Sequence, residues 1–523
     1  MKIFPFSSTD FILKCCVFLF LLASAIGCAN EQEQLEKDLP NIIYILADDL
    51  GYGELGAYGQ EKIKTPNIDN LASSGMIFTQ HYAGSPVCAP SRYMLMTGKH
   101  PGNATIRGND EWSERGDVWS FEAMLENPEL EGQRPIPPET ITIAKMLKEA
   151  GYATGAIGKW GLGGPNTDGH PNRQGFDFFY GYLCQRQAHT YFPTHLWKND
   201  ERVFLSNEQV HPHQRLPEDA DPYDLQNYAP FYDQPDYAAD LMHVQALRFI
   251  EEHRDTPFFL YLPTPIPHVS LQAPKRWVDY YHEKFGDEEP YPGGNYTPVR
   301  FPNATYAAMI SYLDEQVGDL VQKLKELDLY ENTIIMITSD NGPTFTGGVD
   351  PAFFDSAAPF KGEYGWGKGY LHEGGIRVPM ITVWEGIIPA GTGSNHISAF
   401  WDVLPTLGEI AGVKPPGNID GISFLNALKG NPDQQKEHEF LYWEFPQYGG
   451  QQAVRMGNWK GIRKNMISEN NLEIELYDLD SDPREQHNIA GQHPDIVEKI
   501  RLTMETARTP SENDLFKIPV LGD

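Results

Sequence analysis

The sequence contains few cysteines and few basic side chains. Five of its 523 residues are cysteine, too few for a dense disulfide framework in a chain of this length. Lysine and arginine together number 41, against 72 aspartates and glutamates, which gives a formal net charge of −31. Binding to a nucleic-acid backbone needs clustered lysines and arginines, so this balance argues against nucleic acid as a partner. An anionic ligand would have to be attracted by a local group of basic residues.

Long apolar runs are absent after the first thirty residues, so we expect no membrane-spanning helix there. Residues 1–27 are predicted to be an export signal, because two lysines precede an apolar run that is too short to span a bilayer. The end of this segment resembles a bacterial lipobox, in which Cys28 is lipidated and residues 28–39 form a polar tether. A plain secretory cleavage after Ala25 is the alternative. In both cases we expect export to the periplasm or cell surface, and a lipid on Cys28 would anchor the protein in the outer membrane.

Two cysteines remain once the N-terminal segment and Cys28 are set aside. They are Cys88 and Cys184, which could form one disulfide, or none if one of them has another role. The lack of a framework leaves Cys88 available for chemistry. With 40% hydrophobic and 22% charged residues, the chain has the composition of a soluble globular enzyme with a large core.

Four short apolar runs bounded by polar turns predict buried parallel β-strands. They lie at residues 41–47, 256–262, 333–338 and 378–383. Helical patterns lie between them, at residues 141–150 and 305–327. Strands that alternate with helices predict an α/β fold, in which helices sandwich a large, mostly parallel or mixed sheet. Ligands of such sheets bind beyond the carboxyl ends of the strands.

The pattern changes after about residue 420. Short strands separated by turns are predicted at residues 440–445, 452–456, 459–463 and 474–477, with a helix after His493. We therefore predict a catalytic domain over residues 40–420 and a C-terminal α+β subdomain with an antiparallel sheet over residues 421–523. Two polar, aromatic-rich stretches, 109–138 and 199–236, are too long for simple connections and are candidate loops around a pocket.

One segment carries a specific chemical motif. Cys88 begins the run Cys-Ala-Pro-Ser-Arg, which ends at Arg92 and is followed by Thr97 and Gly98. This resembles the signature of the formylglycine-dependent, or type I, sulfatases, an arylsulfatase-like family of the alkaline-phosphatase-like superfamily. The resemblance extends over about residues 40–490 and implies a sulfuric ester hydrolase with the fold of that superfamily. It implies that a sulfatase-maturating enzyme oxidises Cys88 to formylglycine (3-oxoalanine), whose hydrate is the nucleophile. A buried, inert cysteine before a turn is the alternative.

Two polar pairs follow predicted strands. They are Asp48 with Asp49 and Asp340 with Asn341. Carboxylate and amide oxygens are preferred ligands of Ca²⁺ and Mg²⁺, and an amide beside three carboxylates favours Ca²⁺. Either pair alone could equally be a solvated turn. The resemblance implies that these side chains and the modified Cys88 hold one divalent cation, Ca²⁺ or alternatively Mg²⁺, which orients the sulfate.

The resemblance also gives roles to basic residues. Arg92 would steady the formylglycine and the metal carboxylates, and Lys159 and Lys368 would contact the sulfate. His268 would contact the substrate and protonate the leaving alcohol, a contribution of roughly 10²- to 10⁴-fold in rate. Lys361 is the alternative to Lys368.

One position departs from the family pattern. Gly161 stands where the family usually has a histidine that touches the formylglycine, so the base that regenerates the aldehyde is unassigned. His189 is a candidate to replace that histidine or to bind the substrate. Four residues around the signature could line the sulfate subsite or be structural: His81, His100, Arg107 and Asn109. Three acidic residues are predicted to form a solvated face: Glu126, Glu129 and Glu131.

An exported sulfatase is expected to act on sulfated glycans, such as ulvan, carrageenan or glycosaminoglycan. The long loops favour a pocket for chain ends or oligosaccharides over an open groove. One alternative is a phosphonate or phosphodiester hydrolase of the same superfamily, which shares the formylglycine site. Another is a catalytically inactive, glycan-binding surface lipoprotein, which Gly161 suggests and the intact acidic pairs argue against.

Overall fold

The computed structural model describes residues 39–523. The predicted signal peptide, the lipidation site Cys28 and nearly all of the predicted tether lie outside these residues. Within residues 39–523, no helix is both long and apolar enough to cross a membrane.

A large mixed sheet lies at the centre of this part of the chain. Its strands are β1 (Asn41–Ala47), β2 (Met76–Tyr82), β3 (Ala153–Lys159), β4 (Phe178–Tyr182), β5 (His195–Lys198), β6 (Glu201–Phe204), β7 (Phe258–Pro263), β8 (Thr333–Ser339), β9 (Arg377–Val383), β10 (Thr392–Ser394) and β11 (Ser398–Ala399). Their spatial order is β10-β2-β9-β8-β1-β7-β3-β4-β5-β6, and β11 also pairs with β2. Strand β1 is parallel to both of its neighbours, β7 and β8.

The central strands form where the sequence has continuous apolar runs. Strand β1 is buried along its whole length, and its alternate residues enter two apolar cores. Ile43 and Ile45 pack into one core, whereas Ile42 and Leu46 pack into the other. A strand covered on both faces needs no alternation of polar and apolar residues, as is usual in parallel sheets. The predicted strands β1, β7 and β8 are confirmed.

The prediction that residues 378–383 form a parallel strand is wrong in direction. Strand β9 is antiparallel to both β8 and β2. Residues 378–383 are buried, as β8 is, and an apolar run indicates burial but not direction. Strands β2, β5 and β6 contain exposed residues, so no continuous apolar run predicts them.

Helices connect the strands and contribute side chains to the two cores. They are α1 (Pro66–Ser74), α2 (Cys88–Thr97), α3 (Phe121–Glu126), α4 (Ile143–Glu149), α5 (Ala229–Tyr232), α6 (Ala238–Glu252), α7 (Lys275–Phe285), α8 (Pro302–Glu326), α9 (Pro351–Phe354), α10 (Glu373–Ile376), α11 (Val403–Ile410), α12 (Leu425–Leu428) and α13 (Pro494–Thr506). The predicted apolar stripe of α8 is buried, including Met309 and Leu313. Asp314 on this helix accepts hydrogen bonds from the backbone N–H groups of Asn67 and Ile68, at the start of α1.

A second, smaller sheet follows the main one. Its antiparallel strands are β12 (Leu441–Phe445), β13 (Gln451–Met456), β14 (Trp459–Arg463) and β15 (Glu475–Asp478). Residues 446–450 connect β12 to β13, and we call this connection the hairpin tip. The predicted fold class, an α/β sandwich with a smaller C-terminal antiparallel sheet, is confirmed.

Buried charges join the two sheets. Lys460 on β14 lies 2.8 Å from Glu373, at the start of α10, and 3.0 Å from Glu485. All three side chains are almost fully buried. Because an unpaired buried charge is costly, these contacts tie the small sheet firmly to the segment that precedes β9.

Candidate active site

The two predicted polar pairs meet because β1 and β8 are parallel neighbours in register. Ala47 pairs with Ser339, so Asp48 and Asp340 both follow strands that end at the same place. The backbone N–H of Asp49 donates to Oδ1 of Asp340 at 3.1 Å. All four side chains of the pairs are buried. Residues that lie almost 300 positions apart in the sequence therefore form one acidic cluster.

Cys88 is the first residue of α2 and faces this cluster. Its side chain is 2% exposed, and its Sγ lies 3.4 Å from Oδ1 of Asp48. Burial, followed by the carboxylate of Asp48, raises the pKa of the Cys88 thiol. Both Cys88 and Cys184 are free thiols, so the option of a disulfide between them is not realised.

Two lysines lie close to the sulfur of Cys88. Nζ of Lys159, the last residue of β3, is 2.6 Å from Oδ2 of Asp48 and 3.7 Å from Sγ of Cys88. Nζ of Lys368 is 2.7 Å from Asp49 and also 3.7 Å from Sγ. The alternative, Lys361, lies instead over the ring of Trp366 and pairs with Glu363. The structure therefore brings Lys368, and not Lys361, to the cluster.

Arg92 connects the two strand ends. Its Nε and Nη2 donate to Oδ2 of Asp340 at 3.0 and 2.9 Å, and Nη2 lies 3.2 Å from Asp48. A third donor, Nη1, reaches the carbonyl oxygen of Lys159. Burial and then the nearby carboxylate of Asp48 raise the pKa of Asp340 to about 7, against the lowering effect of Arg92. Burial raises the pKa of Asp48, but the charges of Lys159 and Arg92 outweigh it and hold this pKa well below the usual range.

The acidic cluster fits a divalent cation. Ligand atoms of Asp48, Asp49, Cys88 and His268 all lie within 4.8 Å of one another. Nδ2 of Asn341 donates to Asp49 at 2.8 Å, while its Oδ1 is buried and has no hydrogen-bond partner among residues 39–523. A buried oxygen without a partner next to crowded carboxylates suits a hard cation that prefers oxygen ligands.

The histidines form a stacked group beside the cluster. Nε2 of His268 is 3.7 Å from Oδ2 of Asp49. The ring of His189 stacks on that of His268, with centroids 5.2 Å apart and planes 12° apart. Nδ1 of His189 is 3.3 Å from Nε2 of His213, and Tyr296 packs edge-on against His189. Burial, followed by Lys159 and Lys368, lowers the pKa of His268 well below its usual range.

His213 and Tyr296 are not predicted from the sequence. His213 belongs to the long stretch 199–236, which was predicted only as a loop around a pocket. Its length was the available signal, since long loops in compact domains are often functional.

Gly161 has a conformation that explains why no larger side chain is found there. Its φ of +77° lies in the left-handed region, which disfavours residues with a Cβ atom. A Cβ atom added here would lie 2.5 Å from Nε2 of Gln185. Gln185 is buried, and its Nε2 has no hydrogen-bond partner in the described part of the chain. The space beside Gly161 is therefore filled by a different polar side chain.

Three of the four residues around the signature make structural contacts away from the cluster. The ring of His81 is hydrogen-bonded to Ser398, the backbone N–H of His100 donates to Asp420 at 3.0 Å, and Arg107 is paired with Glu444. Asn109, the fourth, accepts a hydrogen bond from the backbone N–H of Ala89 at 3.2 Å, directly after Cys88.

The prediction of a solvated acidic face fails for one of its three residues. Glu126 and Glu129 are exposed, but Glu131 is completely buried. Glu131 accepts hydrogen bonds from His195 at 3.0 Å and Trp197 at 2.7 Å and also pairs with Arg202. These partners come from strands that no apolar run predicts, so the burial could not be foreseen.

Comparisons with known proteins agree with this geometry. Residues 40–413 match the family model described as sulfatase, and residues 362–509 match that of the C-terminal region of N-sulphoglucosamine sulphohydrolase. The chain is 30% identical to the N-acetylgalactosamine-6-O-sulfatase of Bacteroides thetaiotaomicron, over 93% of this chain and 97% of that protein. It is also 30% identical to human arylsulfatase A, over 92% of this chain and 89% of that protein.

The fold is likewise similar to solved structures. The crystal structure of Ps i-CgsB has a TM-score of 0.71 and 28% identity, and the match covers 92% of this chain and 94% of that one. The family implies a divalent metal and a formylglycine, and the acidic cluster around Cys88 could bind such a metal. The chain therefore belongs to the type I sulfatase family and is a sulfuric ester hydrolase.

Proposed function

We propose that the chain hydrolyses sulfate esters of sulfated glycans, with residue 88 as a formylglycine nucleophile beside a divalent cation. The observation that carries the proposal is the surroundings of Cys88. Its Sγ lies 3.4 Å from a carboxylate oxygen of Asp48 and 3.7 Å from the ammonium groups of both Lys159 and Lys368. Two ammonium groups beside one buried side chain suit an anionic substrate, in a chain whose net charge of −31 would otherwise repel it.

The unmodified thiol would be a poor nucleophile at this place. Reactive cysteines have a lowered pKa, whereas burial and Asp48 raise the pKa of Cys88. A formylglycine hydrate has two hydroxyls on one carbon, so one can attack sulfur and the other can then expel sulfate. This reasoning supports formylglycine at residue 88 and a sulfatase-maturating enzyme as a partner of the chain.

The proposed cation is Ca²⁺, with Mg²⁺ as the alternative. Asp48, Asp49, Asp340 and Asn341 would hold it, together with residue 88. Three buried carboxylates and an amide oxygen without a partner support this assignment. When bound, the cation would orient the sulfate group and withdraw negative charge from it.

The remaining roles follow from position and charge. Lys159 and Lys368 would bind sulfate oxygens, since both ammonium groups flank residue 88. His268 would give a proton to the departing hydroxyl, because the negative charge of a bound sulfate would raise its pKa against burial and the two lysines. His189, stacked on it, would contact the sugar. Arg92 would keep Asp48 and Asp340 together, because it contacts both carboxylates.

Relatives support a sulfated glycan as the substrate. One is an N-acetylgalactosamine-6-O-sulfatase, and Ps i-CgsB has also been solved in complex with k-i-k-neocarrahexaose, at a TM-score of 0.70 and 28% identity. We therefore favour glycans of the carrageenan or glycosaminoglycan type, and ulvan remains a third substrate to test.

Export is a separate part of the proposal. The apolar segment before Cys28 supports export to the periplasm or cell surface, with a lipid on Cys28 as the membrane anchor. Mass spectrometry of the mature N-terminus tests it. Acylation of Cys28 is expected, and an unmodified N-terminus after Ala25 would contradict the anchor.

The function is tested with a panel of defined sulfated mono- and oligosaccharides. The protein is produced together with a maturating enzyme, and released sulfate is measured by ion chromatography. We expect release from at least one glycan and none from Cys88→Ala. Faster hydrolysis of an aryl phosphonate than of the matching aryl sulfate would favour the phosphonate hydrolase, and binding without release would favour an inactive glycan-binding protein.

A further inference from the structure

Exposed aromatic rings lie next to Lys368. Tyr364 and Tyr370 come from the same loop as Lys368, and Tyr448 comes from the hairpin tip of the small sheet; we call these three tyrosines the tyrosine platform. Ring centroids are 5.7 Å apart for Tyr364 and Tyr370 and 5.8 Å apart for Tyr370 and Tyr448, both edge-to-face. Tyr364 is 72% exposed and Tyr448 is 53% exposed. Neighbouring exposed aromatic rings beside a site indicate a binding surface.

Tyr448 is held firmly against the Lys368 loop. A Cβ atom added to Gly369 would lie 2.9 Å from a ring carbon of Tyr448, so this ring packs directly on the glycine backbone. Gln451, three residues after Tyr448, donates to the carbonyl oxygen of Gly369 at 2.8 Å. It also accepts from the N–H of Leu371 at 3.0 Å. These contacts join Tyr448 to the backbone next to Lys368.

The hairpin tip is also tied to the nucleophile helix. Gln447 and the backbone of Asn109 exchange two hydrogen bonds, each of 3.0 Å. The side chain of Asn109 in turn accepts from the N–H of Ala89, next to Cys88. Asn109 thus connects the hairpin tip, which contains Tyr448, to the start of α2.

The backbone of Tyr448 is strained. Its φ of +52° lies in the left-handed region, which is unfavourable for a residue with a Cβ atom. Strain of this kind persists where the surrounding structure fixes it, and it is concentrated at functional sites. Here the strained residue is one of the two most exposed members of the platform.

We propose that the tyrosine platform binds a second sugar ring of the glycan, next to the ring whose sulfate lies at residue 88. The inference rests on the proposed function and narrows it, since the substrate is then an oligosaccharide of at least two sugar residues. Sugar rings have apolar C–H faces that pack on tyrosine, and the phenol hydroxyls can bond to sugar hydroxyls. Tyrosine also supplies a large contact area at low cost in side-chain entropy.

The test compares two substrates that carry the same sulfated sugar, one a monosaccharide and one a trisaccharide. Tyr448→Ala and Tyr364→Ala are each expected to lower kcat/KM for the trisaccharide about tenfold more than for the monosaccharide, mainly through KM. Tyr448→Phe keeps the ring and should retain most of the preference for the trisaccharide. Phe204→Ala removes a comparably exposed ring, 67% exposed, on the last strand of the main sheet and should change neither value.

Melting temperatures show whether each variant is folded. If Tyr448→Ala disturbs the Lys368 loop, Tyr364→Ala tests the role of the platform in its place. Equal losses of kcat/KM on both substrates, or a wild type with the same kcat/KM for both, would overturn the proposed role of the platform. The proposed function as a glycan sulfatase would still stand. A wild type that hydrolyses aryl sulfates but no glycan would instead overturn the proposed substrate and the platform with it.

Discussion

Lys159 contacts Asp48 and Cys88 at the same time: its Nζ lies 2.6 Å from Oδ2 of the carboxylate and 3.7 Å from the sulfur. The contact depends on strand order, because β7 pairs in parallel with both β1 and β3. The last residue of β3 and the residue after β1 therefore lie close together. A change in any one of these three side chains is expected to alter the charge balance that the other two experience.

Cys88→Ala is expected to abolish sulfate release without unfolding the protein. Cys88→Ser should be nearly as inactive, because a serine lacks the second hydroxyl that expels sulfate. Cys184→Ala is the matched control, since Cys184 is also buried but lies in a small apolar cluster that does not include Cys88. It should keep its activity and lose about 1 kcal/mol of stability. Sulfate release and thermal unfolding are measured, and wild-type activity in either Cys88 variant would contradict the formylglycine mechanism.

His268→Ala is expected to slow hydrolysis of alkyl and sugar sulfates by roughly 10²- to 10⁴-fold, because these alcohols need a proton to leave. The loss should be much smaller for 4-nitrophenyl sulfate, whose phenolate leaves unprotonated. His243→Ala serves as the control, since that histidine lies on α6 and pairs with Asp319 on α8. The values of kcat/KM for sugar sulfates and for 4-nitrophenyl sulfate are compared between wild type and His268→Ala. Equal losses in both would argue against His268 as the acid.

Removal of divalent cations by a chelator is expected to stop turnover and to lower the melting temperature, because three buried carboxylates would lose the proposed cation between them. Ca²⁺ should restore both at lower concentration than Mg²⁺. Asn341→Ala should raise the Ca²⁺ concentration needed for half of the thermal stabilisation. Asn332→Ala, at the exposed opposite end of β8, should leave it unchanged. A melting temperature insensitive to both chelator and Ca²⁺ would exclude the cation site.

Asp314 is expected to make stability depend on pH. Burial raises the pKa of this carboxyl to about 6, although hydrogen bonds from the start of α1 oppose the shift. A raised pKa in the folded state means that folding binds a proton, so the folded state loses stability as pH rises from about 4 to about 6. Relative to Asp314→Asn, the free energy of unfolding of the wild type should fall across this range by up to roughly 3 kcal/mol. Denaturant unfolding at several pH values measures the free energy of unfolding of both proteins. A difference between wild type and Asp314→Asn that does not change with pH would contradict the prediction.

The main parts of the fold could be predicted where burial leaves a plain signature. Continuous apolar runs give β1 and β8, and the polar residues after them then meet because parallel strands end together. The direction of β9 could not be predicted, since a fully buried strand looks the same in either direction. Strands β5 and β6 could not be predicted for a different reason, since their exposed residues break the apolar pattern.

The site was predictable only as far as its residues lie in motifs. Cys88, Lys159 and Lys368 converge as the resemblance implies, although their contacts span long distances in the sequence. His213 and Tyr448 were not predicted, because each belongs to an irregular segment whose position depends on packing against other segments. Tertiary contacts of this kind leave no periodic pattern in the chain.

The 2% exposure of Cys88 has a consequence for biosynthesis. If residue 88 is the proposed formylglycine, the enzyme that oxidises it could not reach this side chain once α2 has docked, so the modification would have to occur while the polypeptide is still unfolded. The order of events then decides the fate of each molecule. A copy that folded before it met the proposed maturating enzyme would then keep its thiol and remain a folded, inactive product.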